Sequence, residues 1–214
     1  MESRIFENIR KEYAQRTFDE SSVHPDPFIQ FTLWFEEVMQ AGIEEPSAMF
    51  LATSGTDGIP SGRIVLLKGI NEKGFVFYTN YNSLKGREIL ENPHVAMTFH
   101  WKELERQVRI MGQASKLSKK ESDAYFKSRP FESRVSAAIS PQSSVISGRE
   151  FLEREREQLI SRMNDENIPR PLHWGGFLIK PVQFEFWQGR ESRLHDRIRF
   201  RLEKKNWIIE RLAP

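Results

Sequence analysis

The chain has 214 residues, enough for one domain of ordinary size with a substantial core. Its 32 Lys and Arg residues nearly balance its 30 Asp and Glu residues, and a net charge of +2 excludes a global positive field that would recruit nucleic acid. The absence of cysteine excludes disulfide frameworks and thiol catalysis, and the histidines have no spacing that predicts a metal site. The charged N-terminus is unlike a signal peptide, and no apolar run is long enough to span a membrane. We therefore expect a cytoplasmic protein without nucleic-acid or membrane partners.

The first 24 residues predict a polar arm, helical over Ser3–Gln15. A helix is predicted next, because Asp26 can act as its N-cap and Pro27 as its first residue. Its apolar side chains have helical spacing, and a glycine ends the run; these residues are Phe31, Trp34, Phe35, Val38 and Gly42. We interpret this aromatic stripe as core packing.

A block of short strands with brief connections follows, of the kind that pairs antiparallel and closes into a small barrel. The predicted strands are Ala48–Ser54, Arg63–Ile70, Phe75–Thr79, His94–Trp101 and Arg106–Leu117. A short helix from Ser83 to Asn92 is predicted between the third and fourth strands.

Two capping boxes predict further helices: Ser118 with Glu121, and Ser147 with Glu150. The second helix, to about Met163, is heavily charged and is expected to lie on the surface. Three further strands complete the sheet, and their predicted spans are Phe177–Trp187, Arg193–Leu202 and Trp207–Leu212. The predicted class is mainly β (α+β).

Cationic and apolar residues alternate in the strand predicted from Arg193. One parity holds Arg193, His195, Arg197, Arg199 and Arg201, and the other holds Leu194, Ile198, Phe200 and Leu202, with Asp196 as the one interruption. Successive side chains of a strand point to opposite faces, so one face would be cationic. This face is either an ordinary solvated surface or the lining of an anion site, and the segment alone does not decide between them.

Three other groups of residues could hold phosphate. Arg63 and Lys68 flank an apolar strand centre with opposite parity, which predicts that they point to opposite faces and serve different anions; the alternative is that they reach solvent at the strand ends. The segment Lys85–Arg87 lies at a predicted helix start, where backbone N–H groups favour anions.

The third group is Tyr125, Arg129 and Ser133, which would share a helix face because they are four residues apart. Their hydroxyl and guanidinium groups could together bind a phosphate, with Arg129 as a bidentate donor. The same spacing also occurs on solvent-exposed helices. With aromatic residues such as Tyr78 and Trp187, and without a Gly-x-Gly-x-x-Gly motif, the pattern favours two phosphorylated ring compounds on a β-barrel over a dinucleotide on a Rossmann sheet.

Segments along nearly the whole chain resemble the pyridoxine/pyridoxamine 5′-phosphate oxidase family. They are Arg10–Tyr13, Arg63–Lys68, Phe77–Asn80, Arg106–Arg109, Tyr125–Pro130, Gln142–Ser144, Trp187–Gly189, Arg193–Arg197 and Arg211–Pro214. The resemblance implies a split β-barrel of antiparallel Greek-key type with flanking helices, formed by residues 25–214 as a single FMN-binding domain behind a mobile arm of residues 1–24. It also implies a homodimer with FMN at the subunit interface. The implied reaction is oxidation of pyridoxamine or pyridoxine 5′-phosphate to pyridoxal 5′-phosphate by O2, with release of hydrogen peroxide.

The resemblance also assigns residues to sites. The FMN site would contain Arg63, Ile64, Val65, Leu66, Leu67, Lys68, Tyr78, Thr79, Lys85, Gln107, Gln142, Ser143, Trp187 and Arg197. The substrate site would contain Arg10, Tyr13, Lys68, Tyr125, Arg129, Ser133, Arg193, Leu194 and His195, with Arg193 and His195 as the catalytic residues. Arg10 and Tyr13 would close over the substrate as part of the arm. No metal is expected.

One position departs from the family pattern. The residue before Lys85 is usually a cation in the family, but here it is Leu84. A charge-assisted hydrogen bond to the FMN phosphate would then be missing, which corresponds to roughly 1.5–3 kcal/mol. We hypothesise that Arg87, one helical turn further on, replaces it.

Three other functions stay open on the sequence. A related split-barrel flavoprotein could act on another substrate, as flavin reductases and deazaflavin-dependent enzymes do. A module could bind FMN or pyridoxal phosphate without turnover. A nucleic-acid module could use the arginine face, although a net charge of +2 disfavours it.

Overall fold

The structure is a computed structural model that describes residues 13, 16–163 and 168–214. Its helices are α1 (Pro27–Gln40), α2 (Leu84–Glu91), α3 (Lys119–Ser128), α4 (Phe131–Ile139) and α5 (Arg149–Arg162). Its strands are β1 (Ala48–Ser54), β2 (Pro60–Leu66), β3 (Gly69–Asn71), β4 (Gly74–Asn80), β5 (His94–Trp101), β6 (Arg106–Lys116), β7 (Trp174–Gln188), β8 (Asp196–Glu203) and β9 (Asn206–Arg211). Most of the predicted arm, including Arg10 and the predicted helix Ser3–Gln15 apart from Tyr13, lies outside the described residues.

The chain divides into two compact units. Unit 1 consists of the described part of Met1–Pro46 together with Thr98–Ile110 and Val182–Pro214. Unit 2 consists of Ser47–Met97 and Met111–Pro181. The prediction that residues 25–214 form a single domain stays a prediction.

Helix α1 of unit 1 begins as the sequence predicts. Asp26 is its N-cap and accepts a hydrogen bond from the Phe28 N–H at 2.8 Å, and Pro27 occupies the first turn. The helix ends at Gln40, two residues before Gly42, whose φ of +67° suits glycine. Its buried face packs on aromatic side chains, with Phe31 against Phe99 at a centroid distance of 5.0 Å. The stripe is therefore core, as predicted.

Strands β8 and β9 form the C-terminal part of unit 1. They pair antiparallel with each other, and β8 also pairs antiparallel with β7. Ile198 and Phe200 are fully buried, so the alternation predicted for this strand is confirmed from Arg197 onward. It is wrong for Arg193 and His195, because the strand begins only at Asp196 and Arg193 belongs to a preceding 3₁₀ turn.

The cationic face of β8 is paired with carboxylates. Arg197 donates to Glu185 at 2.8 Å, and Arg199 contacts Glu210 at 2.7 Å. Arg201 contacts Glu203 at 3.2 Å. These side chains offset the repulsion among the arginines without an external anion.

Unit 2 contains β1 to β4 and parts of β5, β6 and β7, in the sheet order β2-β1-β5-β6-β7-β4-β3. Strand β2 is the terminal strand and pairs with β1, so that Arg63 lies opposite Leu51. Phe77 of β4 stacks on Phe177 of β7 with centroids 5.6 Å apart. Gly176 lies opposite Tyr78, and a Cβ there would lie 2.8 Å from the Tyr78 ring, so the glycine allows the ring to lie against β7.

Strand β2 differs from the prediction in two respects. It ends at Leu66, so the predicted strand Arg63–Ile70 is two strands with Leu67 and Lys68 in the connection between them. Its side chains alternate between exposed and half-buried, with Ile64 64% exposed, whereas the apolar centre predicted burial on both faces. The reason is its terminal place in the sheet order, where one edge pairs with no strand of the described chain.

The helices of unit 2 confirm one capping box and contradict the other. Ser118 caps α3, with both hydrogen bonds to Glu121 formed. The N-cap of α5 is Gly148, which places Glu150 too early in the helix to reach back to Ser147 as a capping box requires. Helix α5 has no buried residue among those described, as its charge predicted. Across the described ranges, no helix combines the length and apolar character needed to cross a membrane.

Candidate active site

Unit 2 contains a cavity of about 940 Å³, which we call the unit 2 cavity. Most of the site residues predicted in this unit line it: Arg63, Ile64, Val65, Leu66, Lys68, Tyr78, Thr79, Lys85, Tyr125, Arg129, Ser133 and Gln142. The structure thus brings together residues from β2, β4, α2, α3, α4 and the loop after α4. That Arg63 and Lys68 serve different anions stays a prediction. Both line this one cavity, however, so the prediction that they point to opposite faces is wrong. The prediction of opposite faces assumed that one strand continues from Arg63 through Lys68, whereas β2 ends at Leu66.

The amine of Lys85 lies among polar groups of the cavity. It contacts Gln142 Oε1 at 3.1 Å, Thr79 Oγ1 at 3.3 Å and Ser83 Oγ at 3.4 Å. Burial and the positive charge of Arg63 both lower the pKa of Lys85. A bound anion would relieve this repulsion, so the Lys85 side of the cavity favours a negatively charged group.

Arg63 is held in place by a buried carboxylate. Its guanidinium donates to Ser61, Thr53 and the carbonyl of Leu51, and it pairs with Glu88 at 3.3 Å. Burial alone would raise the pKa of Glu88, but hydrogen bonds from Ser61 and Thr53, together with Arg63, hold this pKa below its usual value. Glu88 therefore stays ionised and fixes the guanidinium at the cavity wall.

A second cationic group of the cavity surrounds Arg129. Its guanidinium lies 4.6 Å above the ring centroid of Trp174, and within the described residues its buried Nη1 has no hydrogen-bond partner. Burial lowers the pKa of Arg129. A buried guanidinium nitrogen with an unused donor is a ready binding group for phosphate or carboxylate.

Tyr125, Arg129 and Ser133 meet in the cavity for a different reason from the one predicted. Helix α3 ends at Ser128, and Arg129 and Pro130 have extended backbone before α4 begins at Phe131. The three residues therefore lie on either side of a helix break instead of on one continuous helix face. Pro130 requires the break, because a proline disfavours helical conformation in the residue before it.

Aromatic rings form a stacked wall beside Arg129. Tyr78 and Tyr125 stack with centroids 3.7 Å apart, and Tyr78 lies 5.6 Å from Trp174 in a nearly parallel orientation. Burial raises the pKa of both tyrosines, so they stay protonated and can donate hydrogen bonds at neutral pH. This wall can pack against a planar ligand.

Two predicted site residues of unit 2 lie outside the described lining of the cavity. Leu67 is buried, and its N–H donates to the Ser47 carbonyl at 2.9 Å. Ser143 is exposed and has a φ of 69°. Neither belongs to the described lining of the cavity, so their roles stay predictions.

The hypothesis that Arg87 replaces the missing cation at Leu84 gains no support. Leu84 is 45% exposed, and the guanidinium of Arg87 donates to the Asn82 carbonyl. Within the described residues, neither side chain lines the unit 2 cavity.

Trp174 is the most informative residue that the sequence reasoning missed. It stacks beside Tyr78 and under Arg129, but a single tryptophan in an apolar strand has the same appearance in sequence as a core residue. Ser128, Ser136, Ser140 and Asn80 also line the cavity. The abundance of hydroxyl residues between 128 and 144 was the available signal for this part of the lining.

The remaining predicted residues that are described lie in unit 1. Trp187 and Arg197 are direct cross-strand partners on β7 and β8, and the Trp187 ring lies 4.6 Å from His195. Tyr13 contacts both rings edge-on, with each centroid 5.8 Å away. These four residues form what we call the unit 1 cluster. Arg193 and Leu194 are exposed in the loop before β8, and Gln107 is half-buried on β6.

His195 has a defined hydrogen-bond role. Its Nδ1 accepts a hydrogen bond from the backbone N–H of Arg190 at 3.1 Å. The ring proton of the neutral imidazole is therefore on Nε2. Burial, and next the charge of Arg193, lower the pKa of His195. The ring is thus neutral at physiological pH and can donate one hydrogen bond through Nε2.

These features define a class of protein: a mainly antiparallel β protein with a cavity that combines an aromatic wall with two cationic groups. Such a cavity fits a phosphorylated planar ligand. Among the described residues, no group of three or more His, Asp or Glu side chains could hold a metal ion.

Comparisons with known proteins identify the family. The sequence profile described as "Pyridoxamine 5'-phosphate oxidase" matches residues 35–162, and that described as "Pyridoxine 5'-phosphate oxidase C-terminal dimerisation region" matches residues 174–214. A pyridoxine/pyridoxamine 5′-phosphate oxidase of a Nostoc species is 51% identical over 212 residues, which cover 99% of each chain. The chain belongs to the pyridoxine/pyridoxamine 5′-phosphate oxidase family.

Solved structures support the fold. The chain is similar to PhzG from Burkholderia lata, solved with tetrahydrophenazine-1-carboxylic acid, with a TM-score of 0.88 and 29% identity over 94% of this chain and 99% of the other. A pyridoxamine 5′-phosphate oxidase-related, FMN-binding protein from Nostoc punctiforme has a TM-score of 0.71 at 18% identity, with 88% of this chain and 98% of the other covered. The predicted fold class, a mainly antiparallel split barrel with flanking helices, is confirmed.

Proposed function

We propose that this protein is an FMN-dependent oxidase that converts pyridoxamine 5′-phosphate and pyridoxine 5′-phosphate to pyridoxal 5′-phosphate. The observation that carries the proposal is the unit 2 cavity, where Lys85 with Arg63 and Arg129 with Lys68 provide cationic groups for two phosphates. The family membership supplies the substrate class.

The cavity fits FMN. Burial, and next the charge of Arg63, lower the pKa of Lys85, and an anion beside the amine would stabilise its charged form. The hydroxyl of Thr79 and the amide of Gln142, which both contact this amine, offer further polar groups to such an anion. Strand β2 supplies apolar side chains such as that of Ile64, and it also supplies backbone N–H and C=O groups along its unpaired edge. Together these groups suit the flavin ring, which is flat and carries polar atoms on its rim. A cavity of about 940 Å³ is also large enough for more than one small molecule.

The residues that would hold FMN in this unit are the β2 segment Arg63–Leu66, Tyr78, Thr79, Lys85 and Gln142. When bound, FMN would supply the redox chemistry: one hydride, which carries two electrons, would pass from the substrate to the flavin, and O2 would take up two electrons and two protons to give hydrogen peroxide. For the amine substrate, water replaces the amino group and ammonia is released. The protein contributes binding, orientation and exclusion of water.

The substrate phosphate binds at Arg129. The Nη1 of Arg129 donates to a phosphate oxygen, and the hydroxyls of Tyr125 and Ser133 donate to the same phosphate. The Lys68 amine adds a second positive charge. The ring of Trp174 supports the guanidinium from below, which limits its motion. These contacts distinguish a phosphorylated substrate from the free vitamin.

Residues of unit 1 contact the substrate ring or the cofactor in this proposal. His195 donates a hydrogen bond from Nε2 to an acceptor on the ring, and Arg193 excludes water and orients the amine or alcohol. Trp187 and Arg197 contact the cofactor, as do Gln107, Leu67 and Ser143, while Leu194 adds an apolar contact. Arg10 and Tyr13 close over the substrate. These roles come from the family resemblance.

The proposed assembly is a homodimer with FMN at the subunit interface. The matched C-terminal dimerisation region supports the dimer. The exposed apolar side chains of β2, Ile64 and Leu66, are consistent with a surface that a second copy covers. A cytoplasmic location stays a prediction.

The test is product formation by the purified protein supplied with FMN. We expect pyridoxal 5′-phosphate and hydrogen peroxide in equal amounts from pyridoxamine 5′-phosphate, and far slower turnover of unphosphorylated pyridoxamine. If the protein binds FMN but forms no product, it is a binding module and not an oxidase. Equal activity on both substrates would contradict the phosphate site, and oxidation of a reduced tricyclic acid alone would favour a PhzG-like function.

A further inference from the structure

A chain of alternating charges in unit 1 links the beginning of the described chain to its last strand. Arg211 on β9 donates to both carboxylate oxygens of Glu20 at 2.7 Å, and its remaining nitrogen donates to Asp196 Oδ1 at 2.9 Å. Asp196 Oδ2 accepts from the Phe18 N–H at 3.1 Å and from Arg190 at 3.2 Å. We call Glu20, Arg211, Asp196 and Arg190 the charge brace.

Arg211 and Asp196 are the central members of the brace, because each binds more than one partner. Arg211 makes a bidentate hydrogen bond to Glu20 through Nε and Nη2 and binds Asp196 through Nη1. A planar guanidinium can form this arrangement, whereas an ammonium cannot. The Asp196 side chain is only 16% exposed, so the surrounding cations compensate its charge where water reaches it poorly. The pKa of Glu20 is lowered to about 2, first by its hydrogen bond from Arg211.

One end of the brace closes the loop from Arg190 to Asp196. Arg190, at the start of this loop, contacts the two residues at its end: its side chain pairs with Asp196, and its backbone N–H donates to His195 Nδ1. Inside the loop, Ser192 and Arg193 have φ values of 54° and 61°. Non-glycine residues adopt this region only where the surroundings hold them there.

The other end of the brace holds the segment that leads to Tyr13. Phe18 is anchored by its N–H on Asp196 and by its ring, which is 5% exposed and lies 4.9 Å from Trp34. The ring of Tyr13 packs on Gly189, where an added Cβ would lie 2.8 Å from the ring. Asp196 therefore contacts both the segment before α1, through the Phe18 N–H, and the loop before β8, through Arg190.

We propose that Arg211 and Asp196 are positioning residues, which fix the tautomer and orientation of His195 and hold Tyr13 against it. The inference rests on the proposed function, since His195 and Tyr13 are there assigned to the substrate ring. Neither Arg211 nor Asp196 is assigned a contact with substrate or cofactor. A purely structural role would instead anchor the C-terminal strand and leave the unit 1 cluster unchanged.

The experiment compares Arg211→Gln with wild type in the full-length protein loaded with FMN. The control is Arg201→Gln, which removes an arginine of the neighbouring strand that is paired with Glu203 and Glu210. We expect Arg211→Gln to raise the KM for pyridoxamine 5′-phosphate about tenfold, with a smaller change in kcat, because the brace positions groups that bind the ring. Arg211→Lys should recover part of the loss.

Two readouts do not depend on activity. Trypsin cleavage after Arg16, followed by mass spectrometry, should be about fivefold faster in Arg211→Gln, because the segment is released more often. The ring nitrogen signals of His195 in ¹⁵N NMR should lose the pattern of a proton fixed on Nε2. Glu20→Gln, at an exposed position, tests the brace without endangering the fold, and the double variant with Arg211→Gln should be no worse than Arg211→Gln alone.

The outcomes separate the two claims. If KM, cleavage rate and His195 signals in Arg211→Gln and Glu20→Gln all equal those of Arg201→Gln, the positioning role is wrong. If wild type does not oxidise pyridoxamine 5′-phosphate, the proposed function fails, while the cleavage and NMR comparisons still decide whether the brace exists.

Discussion

Arg129 lies 4.6 Å above Trp174 with its Nη1 buried and, in the part of the chain that the structure describes, without an acceptor. A charged hydrogen bond to a phosphate contributes about 1.5–3 kcal/mol. Arg129→Gln should therefore raise the KM for pyridoxamine 5′-phosphate about 10- to 100-fold in steady-state kinetics. Arg156→Gln is the matched control, because Arg156 pairs with Glu132 on the surface of the same unit. Equal KM values in the two variants would remove Arg129 from the substrate site.

The second prediction concerns the affinity for FMN of variants at Leu84. Because Leu84 stands where the family usually has a cation, Leu84→Arg should tighten FMN binding by roughly 10-fold or more, the value of one charged hydrogen bond. Lys85→Gln should weaken binding by a similar factor. Titration of the apoprotein with FMN, followed by flavin fluorescence, measures both. Arg87→Ala should bind FMN as wild type does, since Arg87 is committed to the Asn82 carbonyl. A large loss of affinity in Arg87→Ala would restore the hypothesis that Arg87 replaces the missing cation.

His195 should show a pH dependence of defined sign. Burial and Arg193 lower its pKa below 6.5, so the folded protein favours the neutral ring. The unfolded chain then binds more protons between the folded pKa and 6.5, and the stability contribution of the neutral ring is lost as the pH falls through that interval. The same protonation removes the acceptor for the Arg190 N–H, so kcat/KM should fall on the acid side.

The variant Arg193→Gln tests the cause of the lowered pKa. Removing the neighbouring cation should raise the pKa of His195, as measured by an NMR titration of its ring signals. Arg199→Gln, which removes a cation that is paired with Glu210, should leave the titration unchanged. An unaltered His195 pKa in Arg193→Gln would mean that burial alone lowers it.

Gly86 is predicted to be essential for the geometry around Lys85. An alanine in a helix is normally favoured over glycine by about 1 kcal/mol. At Gly86, however, the added Cβ would lie 2.4 Å from the carbonyl oxygen of Tyr81. Overpacking against backbone costs about 1–3 kcal/mol. Gly86→Ala should therefore lower the free energy of unfolding in urea titrations, whereas Gly69→Ala, with its nearest neighbour at 3.8 Å, serves as the control and should not. Equal stability of the two variants would show that α2 can shift away.

Local patterns predicted most of the elements correctly because their causes are local. The Asp26 cap and the Ser118 capping box are each decided by neighbouring residues. The errors have non-local causes. Strand β2 ends before Lys68, and the arginines of β8 are neutralised by glutamates such as Glu185 on adjacent strands, which only the register reveals.

In the candidate site, too, the features with local causes were predictable from the sequence, and those with non-local causes were not. The residue types pointed to two phosphates, and the cationic groups at Lys85 and Arg129 support that interpretation. The shared location of Arg63 and Lys68 was not predictable, because the parity argument required a straight strand. Trp174 was missed because its contribution, support of Arg129, depends on the pairing of β7 with β4.

The visible spectrum of the purified FMN-loaded protein under anaerobic conditions shows whether the substrate reduces the flavin. We predict a yellow protein whose flavin absorption bleaches on addition of pyridoxamine 5′-phosphate and returns when O2 is admitted. A protein that does not retain FMN, or one whose flavin spectrum is unchanged by this substrate while a chemical reductant bleaches it, would contradict the proposed oxidase function.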